Sequence, residues 1–251
     1  FSMDTAPVAS NALYETPPTG LDGIVLSPFG FMYGWKDNTL CVSDILMFHT
    51  WNSDYQKTLP FKILGIVPTT QGGIVMTEGG CYALLGTDPA TLDAPPITGT
   101  PACVSVDSIV DMGGYAMYAA DDGIVVCNTS GGQVVTEDVI LRSQFPDYNP
   151  AAFRCFRHRS CYVITSPTLT AVLNPDAVNS KLMPLVLPRP ITAGFTNSID
   201  GCLYYKDGSS KTVYRFDAED DAMTTAFWKS PTLRAGHRLQ CRWLGLDGET
   251  L

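Results

Sequence analysis

Residues 71–86 read QGGIVMTEGGCYALLG, two short apolar runs separated by Glu78-Gly79-Gly80. Ile74 to Thr77 and Cys81 to Leu85 are rich in β-branched and aromatic side chains. The flanking glycines tolerate positive φ, so the stretch predicts a β-hairpin. The fold depends on whether this hairpin stands alone or recurs.

It recurs. GGYAMYAADDGIVVCNTSGG (113–132) repeats the plan of glycine pair, apolar strand, acidic-glycine turn, apolar strand and polar turn. The same order is legible in PFGFMYGWKDNTLCVSD (28–44), HRSCYVITSPTLTAVLNPD (158–176) and IDGCLYYKDGSSKTVYRFD (199–217). With Gly30, Gly73, Gly114, Ser160 and Gly201 taken as equivalent openings, the intervals are 43, 41, 46 and 41 residues. A further strand precedes each hairpin, at Gly23–Leu26, Ile63–Val67, Ser108–Asp111, Ala152–Phe156 and Ile191–Phe195. A fourth is indicated at Gln133–Val139 and Ala222–Trp228.

About four short strands recurring every forty-odd residues is the sequence form of a β-propeller, in which each small sheet buries both faces against its neighbours. The expectation is therefore an all-β propeller of five recognisable blades, at 20–60, 61–100, 101–149, 150–188 and 189–231. Residues 232–251 form a closing strand or exit segment. Residues before 20 pairing with Leu239–Leu246 would complete a sixth blade.

The 251 residues, 45% hydrophobic, suffice for one such domain. The 22 glycines and 18 prolines interrupt every window before four helical turns could form, so very little helix is expected. A net charge of −9 argues against a protein built to grip nucleic-acid phosphates, while permitting transient contact with DNA that slides past. No stretch approaches the roughly 18 apolar residues of a membrane helix, and FSMDTAPVAS lacks the layout of a signal peptide. No membrane insertion is expected. The ends, Phe1 and GLDGETL, read as those of a piece of a longer chain.

The eight cysteines fall mostly inside apolar strands, as Cys41, Cys81, Cys127 and Cys155 do, where a reduced thiol packs as a small hydrophobe. That points to assembly in a reducing cytoplasm. No Cys-x-x-Cys pair exists to hold zinc, and His49, His158 and His237 lie in different repeats without metal spacing.

Gly208-Ser209-Ser210 reads as turn chemistry rather than a nucleophile. Asp217–Asp221 offers carboxylates for calcium but lacks the alternating ligands and central glycine of a calcium loop. In Arg154-Cys155-Phe156-Arg157-His158-Arg159, the one positive cluster, strand alternation sends Arg154 and Phe156 to one side and Cys155 and Arg157 to the other. The tryptophans at 35, 51, 228 and 243 could stack on sugars, although strand packing accounts for three of them. No catalytic, cofactor-binding or metal-binding residue is assigned, and no cofactor is expected.

Several phrases together resemble one family. Ser43-Asp44 ends a strand, Trp51 follows soon after, and Thr77-Glu78-Gly79 turns a glycine-led strand. Cys103-Val104-Ser105 precedes SIVDMG (108–113), and FWKSP (227–231) closes the series. The chain is similar to bacteriophage virion proteins that carry a β-propeller, namely the tail tubular or nozzle proteins of short-tailed phages. The likeness is concentrated in residues 20–145.

It implies a non-enzymatic structural component of the virion, assembled in the bacterial host cytoplasm. Its partners would be other tail proteins and copies of itself, in a ring around the channel for DNA ejection. It carries over no functional residue. Two alternatives remain at this point. One is a propeller that binds host-surface glycan around Trp35, Trp51 or Tyr55. The other is a polysaccharide-degrading enzyme using turn carboxylates such as Glu78, Asp121 or Asp122.

Overall fold

The computed structural model describes residues 15–137, 139–175, 181–184, 191–208 and 211–216. The expected strand at Ala222–Trp228 and the closing segment 232–251 lie outside them. Helix among the described residues is confined to five 3-10 turns of three or four residues. The rest is organised by five antiparallel sheets.

The first sheet holds β1 (Gly23–Leu26), β2 (Met32–Lys36), β3 (Thr39–Asp44) and β4 (Met47–Trp51), with β5 (Lys57–Thr58) also pairing with β3. The second holds β6 (Ile63–Thr69), β7 (Gly72–Thr77) and β8 (Gly80–Leu85). The third holds β9 (Val110–Asp111), β10 (Ala116–Ala120), β11 (Gly123–Asn128) and β12 (Gly131–Val134). The fourth holds β13 (Arg154–His158), β14 (Cys161–Thr165), β15 (Thr170–Asn174) and β16 (Lys181–Pro184). The fifth holds β17 (Ala193–Thr196), β18 (Leu203–Lys206) and β19 (Tyr214–Arg215).

Some bounds differ from the sequence reading, each for a local reason. A 3-10 turn at Val106–Ser108 shortens the strand expected from Ser108, and Pro150–Ala152 delays the one expected from Ala152. The fourth strand of the third sheet begins at Gly131 rather than Gln133, because Asn128 Oδ1 accepts from the Ser130 and Gly131 amides and turns the chain early. In the second sheet the outer position is taken by 93–97. The Ala83 and Leu85 amides donate to Pro95 and Asp93, and the Ile97 amide donates to Cys81. Pro95 and Pro96 have no amide hydrogen to continue a ladder, so this segment bonds as isolated bridges.

Stacking of the sheets follows from side-chain alternation. On β7, Ile74 and Met76 enter a core shared with Tyr118 and Val125 of the third sheet, while Val75 enters one shared with Tyr33 and Leu40 of the first. On β10, Ala116, Tyr118 and Ala120 face the second sheet; Met117 and Ala119 face Tyr162 and Ile164 of the fourth. On β14, Tyr162 and Ile164 face back, and Val163 meets Leu203 of the fifth. Each pair of consecutive sheets thus encloses its own apolar cluster. Burying one aliphatic side chain contributes about 1.5–3 kcal/mol, so these seams supply the main driving force for the fold. Consecutive small antiparallel sheets packed face to face make the described region an all-β propeller.

Two-residue turns join the strands of the central hairpins, and a glycine of positive φ follows each. Gly72 has φ +144° and Gly123 has φ +158°. At Gly72 an added Cβ would lie 1.9 Å from the Leu84 carbonyl oxygen of the paired strand. Gly72→Ala is expected to destabilise the protein by about 3 kcal/mol, read as a lowered urea midpoint with an unchanged slope.

The seven described cysteines are free thiols, and all but Cys161 are buried. Burial pushes the Cys103 thiol from its ordinary 9.0 up to about 12. The folded chain keeps a proton that the unfolded chain releases above pH 9. Its contribution to stability is therefore fully present below pH 9 and is lost as the pH rises toward about 12. Urea unfolding across that range should show Cys103→Ala losing stability less steeply than the native chain.

Candidate functional site

The first strands of successive sheets, β1, β6, β9, β13 and β17, lie beside one another in chain order. Where β9, β13 and β17 run together a cleft of about 390 Å³ opens, with Asp111, Arg157, Phe195, Thr196 and Ser198 on its wall. A second cleft of about 340 Å³ shares Phe156 and Gly194 with it and is bounded by Asp107 and Arg154.

Strand β13 supplies both arginines, and its alternation follows the sequence expectation. Cys155 packs toward the third sheet and Phe156 toward the fifth. Arg154 donates from Nη1 to the Thr192 carbonyl at 3.0 Å, and its Nε lies 3.4 Å from Asp107 Oδ2. It bridges the third and fifth sheets. Arg157 is held through Nε, which donates to the Arg159 carbonyl at 2.9 Å. Its terminal nitrogens lie over Gly113, where an added Cβ would come within 3.1 Å of Nη1.

The wall around Arg157 is fastened at several points. Thr196 Oγ1 donates to the Arg157 carbonyl at 2.5 Å, joining β17 to β13. Asp111 Oδ1 accepts from the Gly113 amide at 2.7 Å, which fixes that carboxylate at the end of β9. Phe195 stacks on Tyr204 with ring centres 5.6 Å apart and planes 16° from parallel. Tyr204 in turn donates to Asp200 Oδ2 at 2.9 Å. The Cys202 amide first, and this hydroxyl further, hold the Asp200 carboxyl below its ordinary range.

The residues singled out from the sequence mostly serve packing. Trp51 is 4% exposed, donates its indole N–H to the Phe48 carbonyl at 3.0 Å, and covers Gly34. Trp35 covers Gly23 and, with Tyr55, packs against the core between the first two sheets. Trp35 and Trp51, two of the three aromatics named for the alternative glycan reading, thus fill the space that a missing side chain leaves across a twisted sheet, while Trp35 and Tyr55 stay half-exposed.

His49 is exposed on β4. His158 is buried and accepts the Leu203 amide at Nδ1, 3.2 Å away, with its ring 5.0 Å from that of Phe216. Glu78 lies in the β7–β8 turn. Asp121 and Asp122 form the β10–β11 turn, where Arg142 lies 3.6 Å from Asp122 and 2.9 Å from Glu137. Gly208 is described, whereas Ser209, Ser210, Asp217–Asp221, His237, Trp228 and Trp243 lie outside the described residues.

Asp107, Asp111, Phe195 and Ser198 escaped the sequence reading. The Asp111-Met112-Gly113 spacing was a legible sign of an aspartate turned onto its own backbone. Nothing local signals that Phe195 and Ser198 lie beside Arg157, since only sheet stacking brings them there. Among the described residues no three histidine, cysteine or acidic side chains gather as a metal ion requires, and no helix is long and apolar enough to cross a membrane.

No protein-family model matches the chain, and no curated protein matches it. Among solved structures it is similar to YCF48 from Cyanidioschyzon merolae, with a TM-score of 0.46 and 12% identity, over 81% of this chain and 74% of that one.

His158 ties the fourth and fifth sheets through one buried acceptor. His158→Ala leaves the Leu203 amide without it, and a loss of about 2 kcal/mol in chemical unfolding is expected.

Proposed function

We propose that this protein is a structural β-propeller of a bacteriophage tail, packing with copies of itself and with other tail proteins around the channel for DNA. The resemblance of the Ser43-Asp44, Thr77-Glu78-Gly79 and Cys103-Val104-Ser105 phrases to tail tubular proteins supplies the virion context.

One observation carries the assembly role. The first sheet leaves large apolar side chains in solvent: Ile24 and Leu26 on the face turned away from the second sheet, and Ile45, Leu46 and Phe48 at its β3–β4 corner. Leu46 is 76% exposed and holds φ +59°, a conformation that costs a leucine energy. Exposed apolar side chains grouped on one sheet mark a surface built to be covered, and at the β3–β4 corner, off the stacking faces, another protein is the fitting cover. The charge favours the same surface, since chains of net charge −9 repel through most of their exterior and approach most cheaply where it is uncharged.

A rigid stack of sheets suits a conduit. An acidic wall repels passing DNA, whereas a basic wall would hold it with steep salt dependence.

Immunogold electron microscopy with an antibody against this chain is expected to label phage tails, and unlabelled particles would overturn the reading. Ile24→Glu and Leu46→Glu should keep the β-type circular dichroism of the native chain while reducing incorporation into tails at least about ten-fold. Full incorporation of both variants would move the assembly surface elsewhere.

A further inference from the structure

We propose that the cleft between β9, β13 and β17 binds a neutral hexopyranose unit of a carbohydrate, held between Arg157 and Asp111 beside Phe195. This goes beyond the tail role and does not depend on it.

A sugar ring offers adjacent hydroxyls, each both donor and acceptor, and an apolar C–H face. The cleft presents the complement of each. Arg157 is pinned through Nε to the Arg159 carbonyl, and its Nη atoms have no partner among the described residues. Those two donors are therefore directed and available, and a planar guanidinium fork fits a pair of neighbouring oxygens.

Asp111 uses Oδ1 on the Gly113 amide, which leaves Oδ2 to accept from a hydroxyl. The Ser198 hydroxyl stands exposed on the same wall without a partner among the described residues. Phe195 borders the cleft, is 59% exposed, and is steadied by its stack on Tyr204. An aromatic face of this kind packs well against sugar C–H groups.

Gly113 completes the arrangement. It holds φ +88°, and a side chain there would crowd the Arg157 head. The volume of about 390 Å³ lies within the range of small-ligand pockets.

The charge pattern selects a neutral ligand over an anionic one. Arg154 is engaged with Asp107 and Thr192, which leaves one available guanidinium opposed by the Asp111 carboxylate, in a chain of net charge −9. A phosphate or a sugar acid would meet that carboxylate and gain from a single cation. A hydroxyl pair uses the acid and the base together.

The test titrates the methyl glycosides of glucose, galactose, mannose and N-acetylglucosamine into the purified, isotope-labelled 251-residue chain, following amide shifts by NMR. A single hexose in such a site should saturate in the roughly millimolar range with at least one of them. Arg157→Gln, Asp111→Asn and Phe195→Ala should each weaken binding at least about ten-fold, with thermal midpoints kept near that of the native chain. Lys57→Ala, on the first sheet, should leave it unchanged.

Three results would overturn the proposal: no saturable shift with any of the four up to about 100 mM, a hundred-fold above the expected range; binding unaltered in Arg157→Gln; or saturable binding of inorganic phosphate tighter than of every glycoside. The last would make the cleft an anion site.

Discussion

Every interior sheet of this protein must be apolar on both faces. One sheet of four short strands cannot bury itself, so its two faces are satisfied only by the sheets before and after it. This constraint accounts for the composition of the middle strands, where β7 and β10 are buried along their whole length. It also fixes register. A slip of one residue on β7 would exchange Val75 with Ile74 and Met76, sending each to the wrong core.

Burial so complete obliges the polar atoms between sheets to find partners, and most do so at recurring places. Fully buried tyrosines sit on β2, β10 and β14. Tyr118 donates to the Pro101 carbonyl at 2.8 Å, and Tyr162 donates to the Ser108 carbonyl at 2.7 Å. Around Ser108 a small network closes. Its hydroxyl donates to Ser105 and accepts the Ala119 amide, while Ser105 Oγ donates to Phe153 of the segment entering the fourth sheet. An unpaired polar atom at this depth would cost about 1–3 kcal/mol, so these bonds constrain which sheet can follow which.

The repeating hairpins were legible in the sequence because their signals are local: glycines at turns, alternation along strands, and an interval in the forties. The quoted phrases were legible too, and their structural roles are now plain. Ser43-Asp44 marks a β-bulge, Thr77 Oγ1 accepts the Gly79 amide to shape its turn, and Ser105 and Ser108 form the network just described. The cleft was not legible. Asp111, Arg157 and Phe195 belong to three repeats and meet only because three first strands run together. The tryptophans were read mainly as strand packing, and Trp35 and Trp51 do pack over glycines. Their value as sugar platforms depends on exposure, and exposure is decided by the glycines that sit across the sheet from them.

The seam between the fourth and fifth sheets carries the wall of the cleft. Among the described residues its buried cluster comprises Val163, Val172, Ile191 and Leu203. Directional bonds cross it: Arg154 to Thr192, Thr196 to Arg157, the Arg159 amide to Gly201 at 2.6 Å, and the Leu203 amide to His158. Apolar contacts tolerate sliding, because one methyl group can replace another at little cost. Hydrogen bonds do not, since each fails within a fraction of an ångström. The bonds across this seam therefore set the spacing of the cleft wall, which would change in discrete steps as they break rather than by gradual slippage.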